Sequence, residues 1–178
     1  MPKEGIFFHQ FAVDSQVFFK SKYSYALVNL KPLVPGHVLV VPLRQSVLRF
    51  GDLTPQESQD YMSSLQLIQG FIYKVYKADS LNIAIQDGPE SGQSVPHLHT
   101  HLIPRYRTDK HDDSIHTQLE KTDLAAAYAD FFARKTEFQE KGTWKSVPDD
   151  ERHPRTAEEM AKEASWLKEE LEKYVATK

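Results

Sequence analysis

Apolar and polar positions fall into runs that predict most of the elements of this 178-residue chain. Tyr25–Leu30 and His37–Pro42 are short apolar stretches that read as strands. The Lys31–Gly36 segment between them, with two prolines and a glycine, predicts a short connection and hence an antiparallel pair. Residues 54–76 carry apolar side chains at Tyr61, Leu65, Ile68, Ile72 and Val75, one face of a helix. Thr54, Pro55 and Glu57 supply its N-cap, first-turn proline and capping box. Leu81–Gln86 alternates as a strand does, and Asp87–Gly92 breaks it. His97–Ile103 reads as a further strand stopped by Pro104, and the Phe-rich stretch Ile6–Phe19 predicts a short strand pair.

After Arg105 the pattern changes. Residues 106–116 are polar and read as a mobile loop, residues 123–134 are compatible with a helix, and residues 139–155 are polar again. Thr156 and Glu159 form a second capping box, opening a helix with Met160, Ala164, Leu167, Leu171 and Tyr174 on its apolar face. The expectation is an α+β fold, one antiparallel sheet with a long helix packed on it and a helical tail. Three regions follow: a sheet-bearing domain over 1–122, a loop region with a helix over 123–155, and a C-terminal helix over 156–178 packing on that domain.

Composition narrows the chemistry. The chain has no cysteine, which excludes disulfides, thiolate catalysis and cysteine zinc sites. Together with an N-terminus lacking a basic-then-apolar leader, this sets the expectation of a cytoplasmic protein, with the nucleus also within its range. No run reaches membrane-spanning length, so no membrane partner is expected. Net charge is −3, from 22 basic and 25 acidic residues, and nothing forces the basic face a nucleic-acid binder needs.

The candidate chemistry is His97-Leu98-His99-Thr100-His101. On a strand the three imidazoles would share one face at roughly 6.5–7 Å intervals. Such a row is poor core material but supplies nucleophile, donor and proton carrier near neutral pH. A zinc site is a second reading, although a straight strand rarely supplies three tetrahedral ligands. Phosphorus chemistry suits the row better: a neutral imidazole whose one nitrogen is held by an acceptor presents the other as a nucleophile. His9, His111, His116 and His153 read as surface residues, Trp144 and Trp166 as packing residues, and Asp149–Glu151 as a solvated loop.

The alternating histidines resemble the histidine triad superfamily. Ala26–Val40, Gln86–Gln93, Pro104-Arg105 and Arg155–Ala161 are similar to its fragile histidine triad branch. That resemblance implies a sheet of about five strands and hydrolysis of diadenosine triphosphate or tetraphosphate to AMP plus the remaining nucleotide. It implies His99 as nucleophile, His101 at the scissile phosphate, and His97 and His37 as supporting residues. It further implies Gln86 and Gln93 at the phosphates, Asn29 at a ribose, and Leu27 and Phe8 as walls of the adenine pocket. Magnesium or manganese would arrive bound to the polyphosphate and no metal would be held by the protein, which would be a homodimer. An adenosine phosphoramidate hydrolase and a nucleotide-binding signalling protein are the competing readings.

Overall fold

The structure is a computed structural model that describes residues 4–109, 114–141 and 154–178. Its centre is a five-stranded antiparallel sheet in the order β3-β4-β5-β7-β6. A separate hairpin, β1 (Phe7–Phe8) and β2 (Phe11–Ala12), precedes it. The sheet comprises β3 (Val17–Lys20), β4 (Ser24–Val28), β5 (Val38–Pro42), β6 (Ser80–Ile85) and β7 (Thr100–Arg105). Strands β4 and β5 pair over five residues, from Ser24 opposite Pro42 to Val28 opposite Val38. Both are buried throughout, which is why they read as continuous apolar runs rather than alternating ones.

Helix α1 (Pro55–Val75) starts where the capping box places it, with the Thr54 hydroxyl accepting from Glu57 N and the Glu57 carboxylate accepting from Thr54 N. Tyr61, Leu65, Ile68, Phe71 and Ile72 are buried against the sheet, and Val75 is partly buried. The Tyr61 hydroxyl donates to Val40 O at 2.8 Å and lies 2.7 Å from Thr100 Oγ1, tying the helix to β5 and β7. Helix α4 (Ala157–Ala176), capped by Thr156 and Glu159, buries Met160, Ala164, Leu167 and Leu171 in the same core.

Three expectations are corrected here. The triad strand begins at Thr100 rather than His97. Extended in register, β5 and β7 would set Pro42 opposite Leu98, but proline has no N–H to give the ladder. The chain instead turns at Val95–His97, with His97 N on Val95 O, and Leu98 N donates to Val47 O at 2.8 Å. At the other end Pro104 does not stop the strand, which runs to Arg105. Beyond Leu102 only β6 flanks β7, so a residue without an N–H is tolerated.

The third correction concerns the segment after Arg105. Part of the expected loop is helical, as α2 (Ser114–Glu120), and the helix expected over 123–134 is present as α3 (Leu124–Lys141), running on past residue 139. Helix α2 buries Ile115 and Leu119 against Leu33 and Ile103. Helix α3 buries Leu124 and Tyr128, and the Tyr128 ring stacks on Phe11 at 5.1 Å while its hydroxyl donates to Gln16 Oε1 at 2.8 Å. Lys110, Asp112, Asp113, His111, Trp144, Asp149–Glu151 and His153 lie outside the described residues.

Candidate functional site

Three connections converge on one buried cavity: the turn after β4, the entry to β7, and the α2–α3 junction. Its lining includes Asn29, Lys31, His37, Gln86, His99 and His101, closed over by Leu119, Thr122 and Leu124. The ring centroids of His99 and His101 are 5.0 Å apart, and those of His37 and His101 5.2 Å. The three histidines of the motif are therefore not one row on a strand. His97 turns away, towards the N-terminal hairpin.

Hydrogen bonds fix the tautomer of each ring, because a backbone N–H can only donate and a carbonyl only accept. His97 Nδ1 accepts from His9 N at 2.9 Å, so its Nε2–H donates to Pro42 O at 2.9 Å. His99 Nδ1 lies 2.8 Å from His97 O and must carry the proton, which leaves the Nε2 lone pair available. His37 Nδ1 accepts from Leu33 N at 3.0 Å, so its Nε2–H donates to His101 Nδ1 at 2.9 Å. His101 must then carry its proton on Nε2. Among the described residues that buried N–H has no hydrogen-bond partner, and neither has the buried Nε2 of Gln86. One cavity thus holds a bare imidazole nitrogen and two unpaired donors, a set suited to attacking an electrophile while its oxygens are held.

All of this requires uncharged rings. Burial depresses the pKa of His97 to about 4, with His99 and His9 adding smaller downward effects. Burial also lowers His99, against an opposing contribution from the carbonyl of His97. His101 is held well below the usual histidine value, first by burial and then by the neighbouring His99 and His37.

Asn29 and His37 meet across the turn between β4 and β5. Asn29 Oδ1 accepts from Lys31 N at 2.9 Å, and its amide nitrogen lies 3.3 Å from His37 Nε2. Gln86 reaches the cavity past Gly92, whose φ of +92° and missing Cβ are both required. A Cβ there would lie 2.5 Å from Gln86 Nε2 and 3.3 Å from the backbone of Glu120.

The remaining candidates sit elsewhere. Gln93 braces its own loop, accepting from Gly88 N and donating to Leu48 O and Val95 O. Phe8 is fully buried behind the histidines, its ring edge-on to His99 at 5.2 Å. Leu27 is core. None of these three lines the cavity.

Sequence reasoning missed several residues. Lys31, Ser94 and Thr122 line the cavity, and Ser94 Oγ accepts from Leu124 N at 3.0 Å, latching α3 over it. Their neighbours Asn29 and Gln93 were the available signal for the first two. His9, which reads as a surface residue, has a left-handed backbone (φ 53°) that aims its N–H at His97. Among the described residues no cluster of three or more His, Asp or Glu could hold a metal ion.

Comparison with known proteins gives the family. Residues 10–108 match the HIT domain, the histidine triad fold, and the chain belongs to that family. It is 48% identical to a bis(5'-adenosyl)-triphosphatase of Saccharomyces cerevisiae, across 97% of this chain and 94% of that protein. It is 47% identical to an asymmetrical bis(5'-nucleosyl)-tetraphosphatase of Schizosaccharomyces pombe, across 94% of each. Among solved structures, the Plasmodium falciparum diadenosine triphosphate hydrolase superposes with a TM-score of 0.68 at 26% identity, across 97% of this chain and 88% of that one.

The depressed histidine pKa values make stability pH-dependent. Unfolded His97 takes up a proton near 6.5, whereas the folded one resists until about 4. The folded state therefore holds fewer protons in that window, and stability falls as pH falls from 6.5 towards 4, by up to about 1.4 kcal/mol per pH unit per histidine. The melting temperature should drop accordingly, and His97→Asn should flatten the slope. An unchanged slope in that variant would contradict the assignment.

Proposed function

We propose that this protein hydrolyses dinucleoside polyphosphates, diadenosine triphosphate or tetraphosphate, to AMP plus the remaining nucleotide. The observation that carries the reading is the tautomer set: His99 Nε2 bears a lone pair and His101 Nε2 bears a proton, with both rings lining one cavity. The relatives named for triphosphate and tetraphosphate substrates give the chain length its range.

His99 Nε2 attacks the α-phosphorus, a P–N bond forms, and the P–O bond to the leaving nucleotide breaks. The ring becomes a nucleotidyl-imidazolium, and its positive charge is stabilised by the His97 carbonyl that accepts Nδ1–H. His101 and Gln86 donate hydrogen bonds to oxygens that gain negative charge, without giving up their protons. Water then adds its oxygen to phosphorus, releases AMP and a proton, and returns His99 to the neutral form. Among the described residues the cavity lining is imidazole, amide, hydroxyl, amine and apolar groups. A magnesium or manganese ion would enter bound to the polyphosphate and neutralise part of its charge.

The cavity of about 10 Å³ holds no more than a water molecule, and His99 and His101 are each only 4% exposed. A dinucleotide enters only if Leu119, Thr122 and Leu124 withdraw. The α2–α3 junction is then the gate, latched at Ser94.

Homodimerisation fits the edge strand β6, which pairs on one side only and exposes Ile83 at 54%. Sedimentation should give twice the monomer mass for the wild type, with Ile83→Glu shifted towards monomer; a monomeric wild type would remove the proposal.

The primary test is chromatography of products from diadenosine triphosphate, with magnesium and with a chelator in its place. AMP and ADP should form only with the ion. His99→Ala should lower turnover by at least ~1,000-fold while substrate binding persists, and His97→Asn should lose less. Comparable turnover in His99→Ala would sink the mechanism. For the gate, the chain's lack of cysteine permits a clean lock. The Ser94→Cys, Leu124→Cys double variant should be inactive when oxidised and recover with reductant. Equal rates in an oxidised, fully cross-linked sample would show that no opening is needed.

A further inference from the structure

Beyond its last ladder pair at Val28, β4 delivers two carbonyls that no neighbouring strand receives. Both are taken by Arg155, 126 positions away in sequence. Arg155 N donates to Leu30 O at 2.9 Å, while its Nε and Nη2 donate to Asn29 O at 3.0 and 2.6 Å. The third edge of the guanidinium, Nη1, pairs with Glu163 on α4. The other oxygen of Glu163 accepts from the Tyr76 hydroxyl at 2.9 Å. Tyr76 in turn presses its ring on Gly36, where a Cβ would lie 2.7 Å from the ring. One network therefore grips both ends of the turn that carries Asn29 and His37.

We propose that Arg155, held by Glu163, is a positioning residue for the reaction: it sets the Asn29–His37 turn and, through His37, the donor presented by His101. The path is short. Arg155 fixes the Asn29 main chain at the head of the turn, Leu33 N within that turn donates to His37 Nδ1, and His37 Nε2 donates to His101 Nδ1. Helix α4 does not need the arginine to dock, because Met160, Ala164, Leu167 and Leu171 already bury its apolar face. A planar fork that places two N–H groups on one carbonyl while pairing a carboxylate is a task lysine cannot reproduce.

The proposal rests on the hydrolase reading for its kinetic test but also has a test that needs no substrate. Arg155→Met, Arg155→Lys and Glu163→Gln would be compared with the wild type by kcat and KM for diadenosine triphosphate, melting temperature, and nitrogen NMR of the imidazoles. In Arg155→Met, KM should rise by roughly tenfold or more and kcat should fall, since displacements near 1 Å cost up to about 100-fold. Arg155→Lys and Glu163→Gln should be intermediate. The His101 ring should lose its single protonation pattern, with Nε2 no longer fully protonated. A merely structural arginine would lower the melting temperature while leaving KM, kcat per folded molecule and the His101 signals at wild-type values, and that result overturns the proposal. If the wild type turned over no dinucleotide, the hydrolase reading would fall and the imidazole spectra would still decide this one.

Discussion

Neutral imidazoles held by main-chain partners are the constraint on which the rest of this structure depends. A buried histidine free to choose its tautomer is either nucleophile or donor, and the site needs one of each. The choice is made by backbone groups: His9 N for His97, His97 O for His99, and Leu33 N for His37. Each partner lies on a turn or loop, so the sheet's role is to bring three turns to one place. Desolvation complements this by making protonation unfavourable.

What could be read from the sequence was local. Both capping boxes, the face of α1 and the β4–β5 pair depend on residues a few positions apart, and each stands where its pattern puts it. The histidine alternation pointed to the right chemistry through partly wrong geometry. Only His101 is on the strand, because Pro42, on another strand, ends the ladder opposite Leu98. Pro96 marks a break beside residue 97 but not where the ladder resumes. The left-handed turn at His9 is likewise silent, since Phe-His-Gln-Phe has no glycine to mark it.

Distance in sequence explains the rest. The polar stretch after Arg105 reads as loop because its apolar residues, Ile115 and Leu119, are too few for a helical face to show. They become buried only against Leu33 and Ile103. Gln93 and Leu27 have partners that local sequence does not name. Family likeness gave them ligand contacts, whereas one braces a loop and the other fills the core in this closed arrangement. In the proposed reaction a gate that swings to admit substrate reconciles a buried site with a large ligand, and it would also keep bulk water from the nucleotidyl intermediate until the first product leaves.

The match to the family spans residues 10–108, yet the arginine fork at Arg155 and the turn at His9 both fall outside it. A gene fragment trimmed to the recognisable motif would encode the three histidines without two of the groups that orient them, His9 N and Arg155. The unit that can be shuffled, fused or transplanted as a working catalyst is therefore larger than the unit that can be recognised. Arg155 in particular links the C-terminal helix to the chemistry, so splicing or truncation far from the motif would act on the reaction itself.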